Sequence, residues 1–153
     1  GKDNESPVQI EADTQPQHHD AVLPWREIRM KYADGTQIIL DGENRYKEAA
    51  FIEGPNGKLF KGFKSDIPDL EKSLAEFPEP EPQVTDFIEA VKERKKFALN
   101  EVNGHRSCTI VNLAKIALRT RRRLKFDSDK QRFINDDEAN GYIKQPMRGP
   151  WKV

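Results

Sequence analysis

The sequence predicts an α+β fold, a largely antiparallel open sheet from residues 7 to 63 covered by helices near 84–94 and 104–122. Three observations predict it. Alternating runs flank the tight turn Asp34-Gly35, and a second pair flanks Gly54-Pro55-Asn56-Gly57. After a proline-rich stretch, the apolar period then changes from two residues to about 3.6. A chain of 153 residues suits one ordinary domain, and it is too short to hold both a dinucleotide-binding domain and a substrate domain.

Residues 1–24 are polar and read as a loose arm, with Val8 and Ile10 alternating as on one short strand. A β-meander fills 25–63. Ile28, Met30 and Tyr32 alternate with Glu27, Arg29 and Lys31, and the turn leads into the β-branched run Thr36 to Leu40. Glu48 to Glu53 and Lys58 to Phe63 make the second pair. A helical turn is expected at Asp69 to Glu76, and then a spacer over 77–83. Its alternating prolines fix φ and withhold N–H donors, so it is extended and stiff.

The stretch 84–145 is the helical part. Val84, Phe87, Ile88 and Val91 stand at i, i+3, i+4 and i+7, the spacing of one buried stripe. A longer helix, capped near Asn103, runs to Arg121-Arg122-Arg123 and is apolar at 110, 111, 113, 114, 117 and 118. Ala114 and Ala117 permit close packing, and the basic end suits a helix carboxyl terminus. Leu124 to Phe126 and Gln131 to Ile134 flank the turn Asp127 to Lys130, as a small hairpin or a pair of turns. Asn135 and Glu138 resemble a capping box for a short helix with Ala139, Tyr142 and Ile143 on one face. In the tail, 146–153, Trp151 is expected to fold back onto the domain with Pro150.

Lys+Arg and Asp+Glu both number 26, so no bulk charge attracts nucleic acid or an anionic membrane. With 35% hydrophobic and 34% charged residues, the core is thin or one face is normally covered. The single Cys108 excludes an internal disulfide framework and a cysteine-based zinc site, and it leaves the compartment open between cytoplasm and periplasm. No run reaches the ~20 apolar residues of a membrane span. The opening GKDNES has no signal-peptide core, and Gly1 in place of methionine suggests a native start further upstream.

Few residues suggest chemistry. His18-His19-Asp20 reads as a loop, because adjacent side chains in a polar arm rarely converge. Asp127-x-Asp129 begins like a calcium loop, but Gln131 and Arg132 break that pattern, so it reads as a turn. The cluster Arg119, Arg121, Arg122, Arg123 and Lys125 lacks interleaved aromatics and reads as solvated or ion-paired surface. Cys108, inside an apolar helical stretch, reads as core. His105 and Arg106 are the candidate anion or substrate contacts, if they stand at the amino end of the long helix where backbone N–H groups favour an anion. An ordinary cap or interface hydrogen bond is the plainer role for His105.

Three segments carry a family resemblance. They are Asp86-Phe87-Ile88-x-x-Val91-x-x-Arg94-Lys95-Lys96, then Glu101-Val102-x-Gly104-His105-Arg106-Ser107, then Arg123-Leu124-Lys125-Phe126-Asp127. The pattern continues through Arg132-Phe133-Ile134-x-Asp136-x-Glu138-Ala139-Asn140 to Arg148-x-Pro150-Trp151. It resembles the end of bacterial Gfo/Idh/MocA (glucose–fructose oxidoreductase/inositol dehydrogenase) proteins, with Tyr32-Ala33-Asp34-Gly35-Thr36 a looser match. The resemblance implies a substrate-pocket and oligomerisation domain, over 7–151 here, of an NAD(P)-dependent oxidoreductase acting on a sugar or related polyol. Its partners would be an amino-terminal Rossmann domain, a sugar-like substrate and further copies of itself, with no nucleic acid and no membrane. The family's glycine fingerprint, lysine motif and catalytic histidine have no match here, so NAD or NADP is expected for the full-length parent and no cofactor and no catalytic residue for this chain. Two rival readings remain, a stand-alone self-associating binding module without redox activity and a nucleic-acid adaptor using the arginine cluster.

Overall fold

A computed structural model describes residues 2, 5–79 and 82–144. The chain divides into two compact units, one formed by 1–43 with 99–153 and the other by 44–98. Expectations for Trp151, Pro150, Arg148 and part of the spacer lie outside the described residues.

The larger unit is built on a five-stranded antiparallel sheet. In chain order its strands are β1 (Gln9–Thr14), β2 (Trp25–Lys31) and β3 (Gln37–Asp41), followed after the long helix by β7 (Leu124–Asp127) and β8 (Arg132–Phe133). Their spatial order is β3-β2-β1-β7-β8. This corrects two expectations. The strand of the supposed loose arm is the central strand, and the sheet's second half comes from beyond the helix rather than from residues 44–63. The short strand expected at Val8 and Ile10 is present, but its central place escapes notice because only Ile10 and Ala12 point inward; its other face is polar, and Ile10 is fully buried.

The Asp34-Gly35 turn forms as expected. Gly35 takes φ of 92°, and Asp34 Oδ1 accepts the Thr36 N–H at 3.0 Å. Lys2 pairs with Asp34 across the turn, and its ammonium, with the Thr36 N–H, holds the Asp34 carboxyl down at about 2. Gly42 sits so close to Trp25 that a Cβ there would fall 2.2 Å from the Trp25 carbonyl oxygen.

The long helix, α3 (Glu101–Thr120), packs across β1 and β2. Leu113, Ala114, Ile116, Ala117 and Leu118 meet Ile10, Ile28, Met30, Leu124, Phe126 and Phe133 in one core. Of the apolar positions expected on this helix, Val111 remains exposed. A short helix, α4 (Asp137–Gly141), closes the end of the sheet, with Ala139 fully buried.

The second unit holds a three-stranded sheet, β4 (Ile52–Gly54), β5 (Gly57–Phe60) and β6 (Lys64–Ser65), with helices α1 (Leu70–Ala75) and α2 (Phe87–Glu93). Asp86 caps α2 by accepting the Glu89 N–H at 2.9 Å. The stripe expected on α2 is not buried: Phe87, Ile88 and Val91 are exposed, and Ala90 alone is enclosed. No helix among the described residues is long and apolar enough to cross a membrane.

Candidate functional site

A groove of about 1040 Å³ opens in the larger unit along the solvent-facing side of α3. From this helix come His105, Cys108, Asn112, Lys115 and Arg119, three or four residues apart and therefore on one face. Leu113, Ile116 and Phe126 form its floor. Opposite stand His19 and Asp20 from the β1–β2 connection, and Tyr142 to Lys144 just past α4. The apolar floor exists because Leu113 and Ile116 of α3 join Phe126 in the core; the polar wall is the helix's outer face.

The helix begins earlier than the sequence suggests. Asn100, not Asn103, is the cap, and its Oδ1 accepts the N–H groups of Val102 at 3.1 Å and Asn103 at 3.2 Å. The Gly104 N–H already bonds the Asn100 carbonyl, so the N–H groups of His105 and Arg106 fall within the helical ladder. The helix-terminus argument for an anion at His105 and Arg106 therefore fails. His105 nonetheless lines the groove, whereas Arg106 is not among the lining residues. Cys108 is exposed and also lines the groove, against the expectation of a core position; the helix turns residues 105, 108 and 112 away from the sheet.

Three residues of the basic cluster have partners within the chain. Arg122 grips Asp136 (Nη2–Oδ1 2.6 Å) and Glu138 (2.6 Å), and Arg123 pairs with Glu11 (2.7 Å). Arg119 donates to the His19 carbonyl at 2.6 Å, with its guanidinium 5.7 Å from the centre of the Tyr142 ring. Asp136 is also the cap of α4, one residue beyond the Asn135 that the sequence offered, and it accepts the Ala139 N–H at 3.0 Å. That backbone donor first, and Arg122 second, hold its carboxyl below the ordinary range. Asp127 makes the expected turn, accepting the N–H groups of Asp129 and Lys130.

His18, His19 and Asp20 do converge, contrary to the reading of their sequence. One ligand atom from each lies within 4.8 Å of the others, with His19 Nε2 2.7 Å from Asp20 Oδ2. The signal for this lay outside the triplet. Gln17 folds the loop by donating to Thr14 Oγ1 at 2.7 Å and accepting the Leu23 N–H at 2.7 Å.

Comparison with known proteins gives no match to a curated protein or to a solved structure. The model of one family, described as "Oxidoreductase family, C-terminal alpha/beta domain", matches residues 1–153. With its antiparallel sheet and covering helix in agreement, the chain belongs to the Gfo/Idh/MocA oxidoreductases, as their C-terminal domain.

Proposed function

We propose that this chain is the substrate-pocket and assembly domain of an NAD(P)-dependent oxidoreductase acting on a sugar or related polyol. The dinucleotide is held by a separate Rossmann domain, which brings its nicotinamide to the substrate. The observation that carries this reading is the groove: hydrogen-bonding His105, Asn112 and Arg119 rise from one helix face, beside Tyr142 and over an apolar floor. Hydroxyl-rich ligands need many donors and acceptors around an apolar ring face, and such mixed linings fix their orientation. His105 and Asn112 then contact substrate hydroxyls, and hydride transfer itself belongs to the cofactor.

Self-association uses the outer face of the five-stranded sheet. Register places Arg29 between Glu11 and Ile39, and Arg123 reaches Glu11 from beyond the helix. A face carrying both signs side by side pairs with its own copy about a twofold axis.

Calorimetry of the chain tests the division of labour. Titration with NADH or NADPH is expected to give no saturable heat, while polyols or sugars at millimolar concentration bind. Tight cofactor binding by this chain alone contradicts the proposal.

A further inference from the structure

The geometry points to a divalent-metal site at the lip of the groove, formed by His18, His19 and Asp20 and selective for a borderline cation such as Zn²⁺ or Ni²⁺. Two of the three residues line the groove. Their potential ligand atoms lie within 4.8 Å of one another, and a tetrahedral ion bonded at about 2.0–2.2 Å needs donors roughly 3.4 Å apart. The farther donors close by up to about 1.4 Å and the His19–Asp20 pair opens from 2.7 Å, movements open to side chains of an exposed loop.

Two of the donors already face each other, His19 Nε2 sharing a hydrogen with Asp20 Oδ2 at 2.7 Å, while His18 Nδ1 accepts the Asp20 backbone N–H at 3.1 Å and its ring centre stands 4.2 Å from that of His19. A cation takes the place of that shared hydrogen, which moves to His19 Nδ1 or, from a charged ring, to solvent. Imidazole donors with one carboxylate favour zinc, nickel or copper over magnesium or calcium.

The loop is fastened in the form that gathers these groups. Gln17 ties its ends between Thr14 and Leu23, and Arg119 holds the His19 carbonyl from α3. The Arg119 charge opposes a cation, and the Asp20 carboxylate offsets it at closer range. Three protein donors leave a fourth position for water or for an oxygen of a ligand lying in the groove.

The test is titration with Zn²⁺ against a chromophoric chelator, with Co²⁺ absorption to report geometry. One equivalent is expected to bind the unaltered chain. His18→Ala and His19→Ala should each weaken binding about tenfold or more, and the double variant should lose it. His105→Ala alters the remaining histidine of the three in the chain and should bind as the unaltered chain does. Asp20→Asn keeps the loop's shape and removes the charge; weaker binding there supports the site even if a histidine variant misfolds. The assignment is overturned if the unaltered chain takes up no stoichiometric metal, if the double variant retains it, or if the loss follows His105→Ala instead.

Discussion

Asp136 joins two parts of the larger unit at one carboxylate: it caps α4 and meets Arg122 just past the end of α3. Replacing it with alanine removes a cap and one of the two carboxylates that hold Arg122, for an expected loss of about 1–2 kcal/mol in chemical denaturation. Its pKa is lowered on folding, as are those of Asp34 and Asp127. Such groups stabilise the fold above the unfolded carboxylate value, near 3.9, and stop doing so as pH falls through the lower folded values. Stability should therefore hold at neutral pH and decline below about pH 4, less steeply in Asp136→Asn. Asn140 is a second junction, its amide accepting the Phe133 N–H at 2.8 Å and donating to the Phe133 carbonyl at 2.9 Å. Asn140→Ala leaves both groups of a core-facing strand unpaired, and about 1–3 kcal/mol should be lost. The sequence displayed Asp136, Glu138, Ala139 and Asn140 as a family pattern without showing why. Their roles depend on Arg122 and Phe133, and such pairings between separated residues leave no local periodicity to read.

Among the elements, α3 was legible in its length and burial, because Leu113, Ala114, Ala117 and Leu118 keep helical spacing over several turns. Its start was not, since Asn100 and Asn103 are both good caps and only the fold chooses between them. Its end places Arg121 in the left-handed region at φ of 52°. Glycine relieves that strain, so Arg121→Gly should raise stability by up to about 1 kcal/mol, read as a higher melting temperature. Gly42→Ala should do the reverse. Its Cβ collides with the Trp25 backbone and ring, and overpacking of this kind costs about 1–3 kcal/mol. The central place of β1 was hidden for a different reason. A strand with two inward apolar residues looks like a polar arm until the pairing of Ile10 with Met30 and Leu124 is known.

At the scale of the whole molecule, the groove combines residues from four stretches of chain, near 19, 105–119, 126–131 and 142. His105 could be singled out in advance. His19, Tyr142 and Cys108 could not, because long-range packing places the first two and the phase of α3 exposes the third. The sheet's outer face and the uncovered Phe87, Ile88 and Val91 both favour association. Light scattering over a dilution series should show a reversible dimer, and Arg29→Glu, which puts like charges beside Glu11, should shift it toward monomer; a monomer at high concentration contradicts the assembly role. The central claim is that the groove along α3 receives the hydroxyl-rich substrate. Amide chemical-shift mapping, with a panel of sugars, polyols and sugar acids added in turn, tests it most directly. The account predicts saturable shifts for at least one ligand, clustered on residues 105–119, the loop around His19 and the residues near Tyr142, and lost in His105→Ala with Asn112→Ala. Saturable shifts confined to residues 44–98, or none with any ligand of the panel, would contradict it.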